Sequence, residues 1–116
     1  MTVISFDIDG TLEVGEPPGL VTIAMVRQAQ RRGHVIGSCS DRTLSFQAAL
    51  WQRLQVRVDF TALKHRLADV RARFPATAYY HIGDTETDQA MARQAGFHFL
   101  HADAVAQASY PRVLFG

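Results

Sequence analysis

Two aspartates lie two residues apart where the first apolar run of the chain ends. Asp7 and Asp9 occur in the sequence ISFDIDGTL, directly before Gly10 and Thr11. Two ionised carboxylates about 4 Å apart repel each other by about 1 kcal/mol in water and by about 4 kcal/mol at an effective dielectric constant of about 20. We therefore expect this pair to be protonated, solvated or neutralised by a cation.

A second acidic pair follows the fourth apolar run. Asp84 and Asp88 belong to the sequence GDTETD. Carboxylates in this position also suit the positive end of a helix dipole, which is a purely structural interpretation. If both pairs face one crevice, their oxygens match the hard ligands that Mg²⁺ prefers. The sequence thus predicts a Mg²⁺ site that contains Asp7, Asp9, Asp84 and Asp88.

Cations and hydrogen-bond donors follow the other apolar runs. Lys64 is the only lysine among the 12 basic residues, and Ser40 and Asp41 follow the second run. Together with the backbone N–H groups of Gly10 and Thr11, they predict a binding site for an anion with several oxygens, of which phosphate is the commonest. A metal, a phosphate site and a carboxylate nucleophile together indicate phosphoryl transfer.

Several assignments around these residues remain open or structural. Ser38 is an alternative to Ser40 as the serine that contacts phosphate. Arg42 either contacts the substrate or forms a salt bridge with Asp41 or another neighbour. The five histidines have no metal-ligand spacing, so we interpret them as surface or strand-packing residues. Phe46 and Trp51 belong to a helical pattern that predicts packing on the sheet.

Short apolar runs alternate with helix-period segments along the chain. The runs predict strands at 3–8, 35–40, 56–60, 78–82 and 97–100. The segments between them predict helices at 21–32, 44–54, 65–74 and 87–95. This alternation predicts an α/β fold with a doubly wound sheet of about five parallel strands and helices on both faces. Ligands bind such sheets at the carboxyl ends of the strands, where the polar residues described above occur.

Length and composition exclude several classes of protein. A chain of 116 residues fits a single domain, 1–116, with its own core. The formal net charge of +1 gives no general attraction to nucleic acid, which we do not expect as a partner. The single cysteine, Cys39, excludes an internal disulfide, and no apolar stretch approaches the ~20 residues of a membrane span. We expect a cytoplasmic protein with no membrane partner.

The order of these motifs resembles that of the haloacid dehalogenase-like (HAD) superfamily of phosphohydrolases. The resemblance extends over residues 3–100 and consists of DIDGT at 7–11, Ser40, Lys64 and GDTETD at 83–88. It implies a Rossmann-like sheet and a Mg²⁺-dependent phosphatase that acts on phosphate monoesters. It also implies that Asp7 is the nucleophile that forms an aspartyl-phosphate. Asp9 would act as general acid and then general base, and its backbone carbonyl would bind the metal.

The resemblance implies roles for the later motifs as well. Ser40 would bind a phosphoryl oxygen, next to Asp41 and Arg42 in the same substrate-binding motif. Lys64 would be catalytic, because it would neutralise charge on the nucleophile and on the phosphoryl group. The metal ligands would include Asp84, together with Asp88, which would either bind Mg²⁺ or orient a metal-bound water.

Members of this superfamily usually carry a cap domain inserted after the first or the third strand. Only residues 13–19 and 61–63 are available at these two positions, which resembles the capless members. An open site excludes water poorly, so a large substrate or a neighbouring subunit of a homo-oligomer would have to cover it. A phosphorylated small molecule is the substrate that we expect.

Two other interpretations belong to different functional classes. A receiver-like signalling domain has a similar length and also phosphorylates an aspartate, which here would be Asp59. Such a domain needs a lysine after its fifth strand, and the only lysine is Lys64. A catalytically idle binding protein with the same fold is the other alternative.

Overall fold

The computed structural model describes residues 1–108 and 112–115. Its five strands are β1 Thr2–Phe6, β2 Val35–Ser40, β3 Phe60–Leu63, β4 Ala78–Gly83 and β5 His98–His101. Its helices are α1 Ile23–Arg31, α2 Leu44–Arg53, α3 Leu67–Arg73, α4 Glu86–Ala95, α5 Ala102–Ala108 and α6 Arg112–Phe115. A 3-10 turn, Lys64–Arg66, joins β3 directly to α3.

All five strands are parallel and lie in the order β3-β2-β1-β4-β5. The chain winds from β1 outward to β3 and then resumes on the other side of β1 with β4. In sheets of this kind a crevice opens at the point of reversal, beyond the carboxyl ends of the strands. Here that point lies between β1 and β4, which end just before the two acidic motifs.

Two hydrophobic cores cover the two faces of the sheet. The first contains Ile4 and Phe6 of β1 with the apolar faces of α1, α2, α5 and α6. The second contains Val3 of β1 with the apolar faces of α3 and α4. Because side chains alternate along a strand, Ser5 and Asp7 lie on the α3 and α4 side. The predicted doubly wound α/β fold is confirmed.

The third strand was predicted at the wrong position. The prediction placed it at 56–60, but β3 is Phe60–Leu63. Val56 instead packs into the first core, and its N–H bonds to the Trp51 carbonyl at the end of α2. Gln55 adopts a φ of 58° at this helix end. The alternating sequence 56–60 therefore follows a helix terminus, and β3 runs straight into Lys64.

In the described part of the chain, the connections that follow β1 and β3, where a cap domain would be inserted, are short. Between β1 and α1, residues 7–22 fold back in tight turns, and Leu12 bridges to Val21. No residue separates β3 from the turn at Lys64. Among the described residues, no helix has both the length and the apolarity needed to cross a membrane.

Candidate active site

The carboxyl ends of four strands surround a cavity of about 250 Å³. It is lined by Asp7, Asp9, Gly10, Pro17, Ser40, Asp41, Lys64, Asp84 and Thr85. Three larger cavities contain none of the predicted site residues: two, of about 360 and 430 Å³, lie along the edge strand β3, and one of about 360 Å³ lies beside α1. We assign the candidate site to the smaller cavity because charged groups from distant parts of the chain converge there.

Three of the four predicted metal ligands form a compact carboxylate cluster. Asp7, Asp84 and Asp88 each present an oxygen, and these three oxygens lie within 4.8 Å of one another. Asp7 is 4% exposed and Asp88 is fully buried. Several hard oxygen ligands in one place fit a divalent cation such as Mg²⁺. The carboxylate of Asp9 is outside this cluster, and its predicted contact through the backbone carbonyl stays a prediction.

Lys64 supplies a cation to the cluster. Its Nζ lies 3.0 Å from Asp7 Oδ2, 3.3 Å from Asp88 Oδ1 and 3.7 Å from Asp41 Oδ2. Burial opposes the charge of this ammonium group, but the carboxylates of Asp7 and Asp88 outweigh burial and hold the pKa of Lys64 above its ordinary value. One positive charge is thus shared among several carboxylates.

The ionised form of Asp7 is disfavoured in the site. Burial, and next the charge of Asp88, raise the pKa of Asp7 to about 7, although Lys64 and the Ile8 N–H favour its ionised form. That N–H donates to Asp7 Oδ1 at 2.7 Å. Because one oxygen contacts Ile8 and the other Lys64, the carboxylate is held in a single orientation. A further cation at the cluster would favour its ionisation.

Asp88 is held by hydrogen bonds to both of its oxygens. Oδ2 accepts from the Asp84 N–H at 3.2 Å, from the Thr85 N–H at 3.2 Å and from the Thr85 hydroxyl at 2.9 Å. The Asp88 N–H in turn donates to Thr85 Oγ1, which completes a capping box at the start of α4. Burial opposes ionisation of Asp88, but the contacts from His81, Lys64 and Thr85 hold its pKa below the ordinary range.

A buried histidine that the sequence analysis did not assign to the site completes this network. His81 is 1% exposed, and its Nε2 lies 2.8 Å from Asp88 Oδ1 while its Nδ1 lies 3.0 Å from Ser5 Oγ. His81 pairs in register with Ser5 across β4 and β1. The alternation of side chains in YYHIGD places His81 on the face of the sheet opposite Ile82. This alternation is the one sequence signal that could have placed His81 near the site. His81 orients Asp88 and does not face the cavity.

Replacing His81 with leucine is expected to lower the free energy of unfolding by about 1–3 kcal/mol, because buried Ser5 and Asp88 each lose a hydrogen-bond partner. Chemical denaturation of the metal-free protein measures this loss. The matched control is His98→Leu, since His98 is exposed and stacks on Tyr80. Equal effects of the two substitutions would contradict a supporting role for His81.

Two glycines make room for the acidic side chains. Gly10 has a φ of 74°, and a β-carbon there would collide with the Asp84 carboxylate. A β-carbon at Gly83 would collide with the Asp88 carboxylate. The DxDG and GD sequences thus hold glycine for a steric reason, since each carboxylate passes directly against the backbone.

The backbone N–H groups of Gly10 and Thr11, which were predicted to bind an anion, already donate to carbonyl oxygens of the chain. The Gly10 N–H donates to the Pro17 carbonyl at 2.7 Å, and the Thr11 N–H donates to the Ile8 carbonyl at 3.1 Å. Both donors therefore stabilise the loop itself. Gly10 lines the cavity, whereas Thr11 is buried and its hydroxyl approaches Asp84 Oδ1 at 3.5 Å.

The two serine alternatives have different surroundings. Ser38 lies in the core, where its hydroxyl donates to Gln47 Oε1 at 2.6 Å and accepts from Trp51 Nε1 at 2.9 Å. Ser40 lines the cavity at the end of β2, and its Oγ accepts the Arg42 N–H at 3.0 Å. Ser40 is thus the serine that can contact a ligand in the cavity. The neighbouring Asp41 is exposed at the rim.

Arg42 forms an ion pair with Asp9 instead of lining the cavity. Its Nε lies 2.8 Å from Asp9 Oδ2, and its Nη2 donates to Oδ1 at 3.3 Å. The Glu16 N–H also donates to Asp9 Oδ1, at 2.8 Å. Partial burial disfavours the charge of Asp9, but these contacts hold its pKa below the ordinary value. Phe46, predicted to pack on the sheet, is 39% exposed instead, and its ring centroid lies 4.8 Å from the Arg42 guanidinium.

Asp59, the acceptor of the receiver-like interpretation, lies away from the acidic cluster. It immediately precedes β3, at the amino end of the strand, and its Oδ2 accepts the Ile36 N–H at 3.0 Å. The acidic cluster follows the carboxyl ends of the strands. This position does not favour a receiver-like function.

The chain was also compared with known proteins. No protein-family model matches it, and the search of curated proteins found no match. The functional conclusion therefore rests on the side chains that surround the cavity.

Proposed function

We propose that the protein is a Mg²⁺-dependent phosphatase that hydrolyses phosphate monoesters through an aspartyl-phosphate on Asp7. The observation that carries the proposal is the cluster of Asp7, Asp84 and Asp88, whose oxygens lie within 4.8 Å of one another beside Lys64. A buried acidic cluster with one lysine favours a divalent cation, and a phosphate ester is a substrate whose charge such a cation offsets.

Asp7 is the proposed nucleophile because its carboxylate lines the cavity and has a fixed orientation. Its oxygen attacks phosphorus, a new P–O bond forms, and the P–O bond to the leaving alcohol breaks. Asp9, which takes up a proton from solvent when its ion pair with Arg42 opens, gives that proton to the departing oxygen and later takes one from the attacking water. That water's oxygen bonds to phosphorus, the bond to Asp7 breaks, and inorganic phosphate leaves.

Lys64 and Ser40 would bind and position the phosphoryl group. Lys64 lies 3.0 Å from the nucleophile and offsets the negative charge that develops during transfer. Ser40 offers a hydroxyl from the end of β2. Asp7 and Asp84 would hold Mg²⁺, and Asp88 would either bind the ion or orient a metal-bound water. When bound, the ion would polarise a phosphoryl oxygen and neutralise part of the substrate charge.

The test is phosphate release from a panel of phosphorylated metabolites, with Mg²⁺ or with EDTA. We expect release only with Mg²⁺, and we expect Asp84→Asn to raise the Mg²⁺ concentration for half-maximal activity by at least about 10-fold. Mg²⁺ should also raise the melting temperature of the unsubstituted protein, because an ion that binds only the folded state stabilises it.

The matched control for this test is Asp103→Asn, which removes an exposed aspartate from α5. It should leave the Mg²⁺ dependence unchanged. Release that is insensitive to EDTA, or an unchanged Mg²⁺ dependence in Asp84→Asn, would contradict the proposed metal site. Absence of release from every compound, with an intact thermal response to Mg²⁺, would favour the idle binding protein.

A further inference from the structure

The ion pair between Arg42 and Asp9 lies at the rim of the candidate site. The guanidinium contacts both oxygens of Asp9, through Nε at 2.8 Å and through Nη2 at 3.3 Å. The side chains are 39% and 30% exposed, so solutes can reach the pair from the solvent. A guanidinium fork of this kind also fits other carboxylates and phosphates.

The backbone and the aromatic neighbour keep Arg42 at this rim. Its N–H donates to Ser40 Oγ at 3.0 Å, and its carbonyl accepts from Gln47 Nε2 at 2.9 Å. Gln47 is fully buried. The guanidinium stacks on Phe46, a contact that does not depend on Asp9. If Asp9 turned away, Arg42 would stay beside the cavity with its donors free.

The proposed phosphatase reaction requires Asp9 to turn away. Asp9 Oδ1 accepts from Arg42 and from the Glu16 N–H, and Oδ2 accepts from Arg42. Because Arg42 donates to both oxygens, the carboxylate has to release at least one of these hydrogen bonds to turn toward a leaving oxygen. Opening the pair leaves Arg42 without an anion unless the substrate brings one. A substrate with a second anionic group meets this requirement.

We propose that Arg42 selects phosphate monoesters whose alcohol part carries a second anionic group, either a carboxylate or another phosphate. This inference rests on the proposed phosphatase function. The second group takes the place of Asp9 on the guanidinium, and Asp9 becomes free to face the leaving oxygen. Arg42 is then the specificity-determining residue, whereas Lys64 and Ser40 serve the transferred phosphoryl group in the cavity.

Three matched compounds test the inference. Glycerol 3-phosphate has no second anion, 3-phosphoglycerate replaces its terminal alcohol with a carboxylate, and glycerol 1,3-bisphosphate adds a phosphate. We expect kcat/KM of the unsubstituted protein to be at least about 10-fold higher for one or both compounds with a second anionic group than for glycerol 3-phosphate. Arg42→Met should reduce this ratio to about 1. The control Arg31→Met, which changes an exposed residue of α1, should keep the ratio.

Binding separates this inference from the proposed activity. The dissociation constants of the same compounds are measured with Asp7→Asn, alone and combined with Arg42→Met, by calorimetry. A preference for the second anion that disappears with Arg42→Met supports the inference even if no compound is hydrolysed, in which case only the proposed activity fails. The same preference with and without Arg42, or no preference in the unsubstituted protein, would overturn it.

Discussion

Replacing Asp7 with asparagine is expected to lower Mg²⁺-dependent phosphate release by roughly 10³- to 10⁶-fold, as loss of a nucleophile does in other covalent enzymes. The amide keeps the shape of the side chain and can still contact the Ile8 N–H, but it cannot form the acyl phosphate. Release of phosphate from the preferred compound of the panel, per mole of protein, measures this effect.

The same substitution should not destabilise the metal-free protein at pH 8. The pKa of Asp7 is raised to about 7 in the folded state, chiefly by burial and next by Asp88. A raised carboxyl pKa contributes stability that is fully present below the unfolded value, about 4, and is lost as the pH rises through about 7. Asp7→Asn removes this loss, so its stability relative to the unsubstituted protein should increase between pH 5 and pH 8.

Denaturation at several pH values in EDTA provides the measurement for Asp7→Asn. The control Asp69→Asn removes an exposed aspartate that pairs with Arg66 on the surface. Activity within about 10-fold of the unsubstituted protein would eliminate Asp7 as the nucleophile. A relative stability that fell with rising pH would show that Asp7 is ionised without cost in the folded state.

Replacing Lys64 with methionine is expected to give the largest loss of stability, about 3–5 kcal/mol at pH 8 without metal. The methionine fills similar space, but it leaves buried Asp7 and Asp88 without their shared cation. The loss should be smaller at pH 5, where Asp7 is protonated and less charge is uncompensated. Phosphate release should also fall, by about 10²-fold or more.

Arg66→Met is the matched control for Lys64→Met, because Arg66 lies on the same 3-10 turn and its exposed ion pair with Asp69 is worth less than about 1 kcal/mol. Added Mg²⁺ should restore part of the stability lost in Lys64→Met, since a second cation then reaches the cluster. Equal stability losses in the two variants would contradict the role of Lys64 as the shared cation of Asp7 and Asp88.

The parallel sheet and most of the acidic cluster could be predicted from the sequence because both follow from local patterns. The third strand and the carboxylate of Asp9 were the exceptions. Buried parallel strands require nearly continuous apolar runs, and polar residues can follow them only at their ends. Asp7 and Asp84 could therefore be placed at strand ends on the same edge of the sheet, although the adjacency of β1 and β4 was not predicted. The positions of Gly10 and Lys64 followed from the same reasoning.

Contacts between distant side chains were less accessible to sequence reasoning. The predicted third strand was displaced because the alternation at 56–60 resembles a strand, whereas tertiary packing of Val56 at the end of α2 decides its conformation. From the sequence alone His81 cannot be distinguished from an ordinary strand residue, because its contact with Ser5 depends on the register between β1 and β4. Arg42 was expected to contact either the substrate or an acid, Asp41 or another neighbour, and the sequence did not identify Asp9 as its partner because it gives no side-chain direction.

The Asp88 carboxylate has two structural roles that a single substitution would affect together. Its carboxylate belongs to the acidic cluster, and the same carboxylate caps the first turn of α4. Removal of the Asp88 carboxylate would take one oxygen from the cluster and also break half of the capping box, so the two effects would occur together. One side chain thus serves both the start of the helix and the charged cluster, and Asp84 is the position at which the cluster can be changed with the side-chain cap of the helix retained.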